Sequence, residues 1–93
     1  MPHVLIIHEV ESCQKWRSVF DQAEIFRKNA GEVSYQLLRH GNDANRIVHF
    51  SEWSSLDNAR RFFESQELVE TRRKGGVKSS GFIYLHEIER GVL

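Results

Sequence analysis

Five histidines are the side chains of this 93-residue chain that are best suited to proton transfer: His3, His8, His40, His49 and His86. An imidazole enclosed in a dry cavity can accept a proton near neutral pH. Such a base can deprotonate a phenol or an activated carbon. His8 and His49 are the two histidines that we predict as candidate catalytic bases, with an ordinary hydrogen-bonding role in a strand as the alternative for each.

Aromatic side chains near these histidines could hold a flat ligand. Trp53 could line a pocket and stack on an aromatic ring, and Tyr35 could orient a phenolate by hydrogen bonding. We predict both as substrate-binding residues, together with His86 and Phe62. The alternative role is packing for Trp53, Tyr35 and Phe62, and an ordinary hydrogen bond in a strand for His86. Five aromatic residues are predicted to form the inner faces of the helices, and to form a pocket wall if a cavity exists: Trp16, Phe20, Phe26, Phe62 and Phe63.

The apolar pattern predicts the elements that position these residues. Apolar residues at three- and four-residue steps follow Ser12, a predicted N-cap, and Gly31 is placed to end that helix. Ser54 with Asp57 resembles a capping box, and Ser65 is predicted to start a further helical turn with Leu68 and Val69 pointing inward. The predicted elements are strand 4–10, helix 12–30, strand 33–40, turn 41–45, strand 46–53, a helix from 54 that ends before Gly75, and strand 82–88.

The resulting βαββαβ order predicts an α+β, ferredoxin-like fold in a single domain, residues 1–93. Its usual form is an antiparallel sheet in the order 4-1-3-2 with both helices on one face. This order places His8, His49 and His86 on three neighbouring strands. Because a one-residue change of register moves a side chain to the opposite face, the sequence leaves open whether they share a face. We predict no metal site, since three histidines would have to converge within a few ångströms.

Composition excludes several functional classes. Lysine plus arginine number 13 and aspartate plus glutamate number 13, so the net charge is zero, which disfavours nucleic-acid binding and a polybasic membrane anchor. No apolar run approaches the roughly 20 residues of a membrane helix, and no signal peptide is evident, so we expect a cytoplasmic protein without membrane contact. The strands are apolar on both faces, but the helices cover one, which predicts a homodimer through the other sheet face.

Three stretches of the chain resemble the antibiotic-biosynthesis-monooxygenase-like branch of the dimeric α+β barrels. They are Lys15-Trp16 to Phe20-Asp21, the segment Asn45 to Trp53 that ends in an acidic-tryptophan pair, and Ala59 to Leu68 with its serine break. The resemblance implies a homodimer and a ligand cavity between sheet and helices in each subunit. It also implies activities such as cofactor-independent oxygenation of polyphenols. A haem-degrading branch places a histidine in the second helix, and residues 56–68 contain none.

The residues and the resemblance together predict a protein that binds a small hydrophobic or aromatic ligand. We expect a cofactor-independent monooxygenase of small aromatic or quinol-type substrates, without a cofactor. The alternative is a non-catalytic dimeric ligand-binding or structural module of the same fold. A further possibility is a tautomerase, which would use Pro2 as its base, but Met1 precedes Pro2 here, and Glu11 and Ser12 stand where that class places an arginine.

Overall fold

A computed structural model describes all residues from Met1 to Leu93. Eight elements follow one another along the chain, and residues 87–93 after them have no regular structure. The elements are β1 (Pro2–Val10), α1 (Cys13–Gln22), α2 (Glu24–Ala30), β2 (Glu32–His40), β3 (Asp43–Trp53), α3 (Leu56–Phe63), α4 (Gln66–Lys74) and β4 (Val77–His86).

The four strands form one antiparallel sheet in the order β2-β3-β1-β4, which confirms the predicted ferredoxin-like topology. β1 lies between β3 and β4, where Ile6 is opposite His49 on one side and Phe82 on the other. β2 and β3 form a hairpin whose turn is only Gly41 and Asn42, because the predicted turn residues 43–45 belong to β3. The register puts alternate residues of β1 and β3 on one buried face.

The helices cover that face and enclose the core. A larger cluster joins Val4 and Ile6 of β1 and Trp53 of β3 to α3 and α4, and a smaller one joins Val10 and Ile47 to α1. Every apolar residue that is fully enclosed, including Trp53, lies on this side of the sheet. Four of the five aromatic residues predicted for the helices' inner faces are buried there: Trp16, Phe20, Phe62 and Phe63.

The fifth residue, Phe26, is 46% exposed because the predicted helix 12–30 is interrupted. The chain turns at Ala23, whose φ and ψ of −90° and 6° end α1 and begin α2. The turn moves Phe26 to the rim, where its ring still contacts Phe62 with 5.4 Å between centroids. It brings Arg27 inward instead, where its side chain is buried and pairs with Glu32.

Other boundaries also differ from the predictions, and the strands β1, β2 and β3 each begin one to three residues earlier than predicted. Ser55, rather than Ser54, caps α3, since its side chain accepts a hydrogen bond from the backbone N–H of Asn58. Ser12 and Ser65 cap α1 and α4 as predicted, but Val69 of α4 is exposed while Leu68 is buried. β4 occupies 77–86 instead of 82–88, because its polar first residues pair along β1 at the edge of the sheet, where side chains can remain in solvent.

The other face of the sheet carries apolar side chains that no helix covers. The pairing of Leu5 with Phe50 and of Ile7 with Val48 places both pairs at the centre of this open face. The apolar residues of the open face are Leu5, Ile7, Leu38, Val48, Phe50, Ile83 and Leu85.

No helix of the protein is long and apolar enough to cross a membrane.

Candidate active site between the helices and the sheet

A cleft between the helices and the covered face of the sheet holds both predicted bases. His8 of β1 and His49 of β3 border it, as does Phe62 of α3, which was predicted to bind substrate. Its enclosed free volume is about 50 Å³, below the roughly 300–1,000 Å³ of most small-molecule sites, so a ligand larger than a few waters requires the lining side chains to move. The other residues that line the cleft are Trp16, Val19, Phe20, Ala23, Arg27, Phe63, Leu68, Thr71 and Arg72.

His8 lies deep in the cleft as a neutral imidazole. Its Nδ1 is 2.7 Å from the hydroxyl oxygen of Ser80 on β4, and its ring centroid is 5.4 Å from that of Trp16. Burial is the main cause that lowers the pKa of His8 to about 3, and electrostatic interactions with His49 and Arg72 act in the same direction. His8 is therefore suited to hydrogen bonding with a ligand and is a weak proton acceptor.

His49 belongs to a buried charged network that the sequence analysis missed. Its Nε2 is 2.9 Å from Oε2 of Glu32, and the Nε–H of Arg27 donates to Oε1 of the same carboxylate at 2.8 Å. All three side chains are at most 5% exposed. The guanidinium of Arg27 also donates to the carbonyl of Phe20 and lies 3.5 Å over the Phe20 ring. The network thus connects one cleft histidine to a buried ion pair.

The local fold explains how Arg27 and Glu32 meet. Arg27 is in the last turn of α2, Gly31 ends that helix with a left-handed φ of 119°, and Glu32 is the first residue of β2. The left-handed residue reverses the chain so that both side chains turn under the helix end. One signal in the sequence could have revealed this arrangement: Arg27 interrupts the apolar stripe of helix positions, and a carboxylate follows the helix-ending glycine.

Arg72 of α4 gives the cleft a positive charge. One of its terminal nitrogens donates to the carbonyl of Phe63 at 3.2 Å, its guanidinium lies 5.1 Å over the Phe82 ring, and no carboxylate forms an ion pair with it. Burial lowers the pKa of Arg72, the expected effect on a cation that has left water. Since no acidic residue borders the cleft, Arg72 can stabilise negative charge on a ligand.

Three of the predicted substrate-binding residues lie away from the cleft lining. Trp53 is fully enclosed, donates its indole N–H to the Ser51 hydroxyl at 2.8 Å and packs against Phe62 and Phe63. Tyr35 is 44% exposed and places its ring edge against Phe20. His86 is exposed at the end of β4, where it pairs with Pro2.

The remaining polar residues do not form a second centre. His3 faces the open side of the sheet, 3.5 Å from Glu52 and stacked on Phe50, and His40 is exposed at the hairpin. No group of three or more His, Cys, Asp or Glu side chains is placed to hold a metal ion. Cys13 is half-buried beside the smaller core cluster.

Comparison with solved structures identifies relatives in three dimensions. SnoaB, a cofactor-independent oxygenase from Streptomyces nogalater, superposes with a TM-score of 0.78 at 18% identity, over 96% of this chain and 94% of that chain. The chain has the fold of the antibiotic biosynthesis monooxygenases. A provisionally assigned antibiotic biosynthesis monooxygenase from Caulobacter crescentus gives a TM-score of 0.74 at 16% identity, over 95% of this chain and 90% of its own. No family model matches the sequence, and no curated protein matches it.

Proposed function

We propose that this protein binds a small aromatic or quinol-type molecule in the cleft and oxygenates it without a cofactor. The observation that carries the proposal is an aromatic cleft, between helices and sheet, that contains two buried histidines and an arginine without a carboxylate partner. Support also comes from the fold, which is shared with a protein described as a cofactor-independent oxygenase.

The residues of the cleft can each supply one part of this reaction. A histidine removes a proton from the substrate, and the electron pair of the broken bond stays on the substrate as an anion. The anion passes electrons to oxygen; one oxygen atom is incorporated at a CH₂ carbon, which becomes a carbonyl, and the other leaves as water with the two hydrogens of that carbon. Arg72 is placed to stabilise the anion, and the surrounding aromatic rings exclude water from the intermediate.

Oxygen uptake with a panel of quinols and polyphenols tests the proposal. We expect consumption of oxygen with at least one compound, and a loss of about 100-fold or more when the histidine that acts as base is replaced in His8→Gln or His49→Gln. His40→Gln is the matched control, because His40 is exposed on the hairpin and distant from the cleft. Turnover that is unchanged in both cleft variants would remove both histidines as bases.

A non-catalytic ligand-binding module is the second candidate function. The observation in its favour is that Trp16, Phe20 and Phe62 are each at least 93% buried and occupy much of the space between helices and sheet. In this case the compounds of the same panel would shift the NMR signals of the cleft residues without any uptake of oxygen.

We further propose that the protein acts as a homodimer through the open face of the sheet. The seven apolar residues of this face lie on all four strands, and no helix covers them. Residues 87–91 lie only beside Phe50 and Leu85 at one end of the face. A face of this kind is typically buried by a partner, and a second copy supplies the same apolar surface. The zero net charge of the chain means that two copies meet without net repulsion.

A further inference from the structure

We propose that Glu32 is a positioning residue that holds His49 with its Nε2 proton toward the carboxylate and its Nδ1 lone pair toward the cleft, so that His49 is the base. The role of His49 as a base rests on the proposed function. The position of the proton on its imidazole does not, because it can be measured in the ligand-free protein. The sequence did not predict a role for Arg27 or Glu32. It also did not predict which of the two histidines, His8 or His49, is the base.

Two buried atoms face each other where Glu32 meets His49. Oε2 of Glu32 and Nε2 of His49 are enclosed and 2.9 Å apart, but the imidazole is angled so that no hydrogen bond joins them, and neither atom has another partner. A carboxylate oxygen only accepts, so a proton on Nε2, together with a small rotation of the ring, satisfies both atoms. Leaving both atoms unsatisfied would destabilise the fold, because each has lost its hydration without gaining a partner. The neutral imidazole then has its lone pair on Nδ1.

Arg27 fixes the position of the Glu32 carboxylate. Its Nε–H occupies Oε1, so only Oε2 remains for His49. The guanidinium is itself held over the Phe20 ring, and the edge of the same ring contacts His49 with 5.0 Å between centroids. Glu32 is thus paired with a buried cation and cannot rotate without breaking that ion pair. A carboxylate placed in this way selects the tautomer of a histidine and stabilises its protonated form.

His8 has no comparable carboxylate partner. The partner of its Nδ1 is the hydroxyl of Ser80, and no carboxylate contacts its ring. A hydroxyl can donate or accept, so it neither selects a tautomer nor compensates a positive charge. Burial, with smaller contributions from His49 and Arg72, also lowers the pKa of His8 to about 3. In the reaction, the substrate O–H or C–H bond breaks, its electron pair stays on the substrate, and the new N–H bond forms at Nδ1 of His49.

The ¹⁵N spectrum of the imidazole rings tests this assignment in the ligand-free protein. We expect neutral His49 to show a protonated Nε2 and a bare Nδ1. In Glu32→Gln the amide oxygen stays with the Nε–H of Arg27, so the amide NH₂ faces Nε2 and the proton moves to Nδ1. Glu52→Gln is the matched control, because Glu52 contacts His3 on the open face, and it should leave the tautomer of His49 unchanged. A proton on Nδ1 of His49 in the unsubstituted protein would overturn the proposal.

A second variant covers the case in which Glu32→Gln fails to fold because Arg27 is left without a counter-charge. Arg27→Met combined with Glu32→Gln removes both charges and frees the amide to turn its oxygen toward Nε2, which should restore the proton to Nε2. If His49 stays Nδ1-protonated in this double variant, Glu32 does not set the tautomer.

Turnover provides an independent readout once a substrate is identified. Glu32→Gln should lower kcat about 100-fold or more and change KM by less than about 3-fold, because it alters the base and leaves the cleft lining in place. The double variant should recover part of kcat. A loss confined to KM would contradict the role of Glu32 in positioning the base. If no compound of the panel is turned over, the proposed function fails, while the NMR result still decides the state of His49.

Discussion

At the scale of single residues, the two cleft histidines differ in the group that contacts their ring nitrogen. His8 faces a hydroxyl, and His49 faces a carboxylate that is paired with a buried arginine. Residue type and strand position were enough to predict both as candidates. The pairing of Arg27 with Glu32 could not be predicted, because charged residues at such positions normally remain in solvent and only the turn at Gly31 brings them together.

The lowered pKa of His8 predicts a specific pH dependence of stability. The unfolded chain protonates this imidazole below about pH 6.5, whereas the folded protein does so only near pH 3. Between these pH values the unfolded state binds more protons than the folded state. The contribution of His8 to the free energy of unfolding is therefore complete above pH 6.5 and is lost as the pH falls toward 3. The free energy of unfolding should change by up to about 1.4 kcal/mol per pH unit from this group.

Urea unfolding of His8→Gln between pH 4 and 7 measures this effect. We expect the free energy of unfolding of His8→Gln to fall less steeply toward acid pH than that of the unsubstituted protein. His40→Gln, which removes an exposed histidine, should retain the full decline in this free energy. Identical acid dependence in His8→Gln and the unsubstituted protein would show that His8 titrates alike in both states.

At the scale of elements, Gly31 ends α2 and lies between Arg27 and Glu32, so its backbone conformation determines whether these two side chains meet. Its φ of 119° is unfavourable for other residues, and a methyl group there would lie 2.6 Å from the Ser54 hydroxyl oxygen. We expect Gly31→Ala to lower the free energy of unfolding by about 1–2 kcal/mol or more. Gly41→Ala is the control, since no atom lies within 4 Å of the added methyl group. Equal unfolding midpoints in urea for the two variants would contradict this role of Gly31.

Element type and order were predictable because each strand and helix carries its own apolar period. The interruption at Ala23 was not, because the apolar stripe continues through it to Phe26 and Ala30. The start of β4 at Val77 was missed for a related reason. Its polar residues 78–80 have no strand pattern of their own and are ordered by pairing with β1.

At the scale of the whole molecule, the open sheet face leads to a test of assembly. We expect the chain to sediment as a dimer at micromolar concentration and to bury about 1,000 Å² or more in total through this face. Ile7→Lys places a charge at the centre of the face and should give a monomer. Ile25→Lys alters an isoleucine of α2 that is 72% exposed, and it should remain dimeric. A monomeric unsubstituted protein would contradict the proposed dimer.

The position of β1 between β3 and β4 also bears on the order of folding. The β2–β3 hairpin joins neighbouring segments through a two-residue turn. β1 instead pairs with β3, which follows α1, α2 and β2 in the chain, and with β4, which follows α4. Nearby segments meet faster than distant ones, so we expect the hairpin to form early and β1 to insert late. Glu32 and His49 both lie on the hairpin, and His8 lies on β1. The strands that carry the base and its carboxylate would therefore be aligned before the strand that completes the cleft arrives.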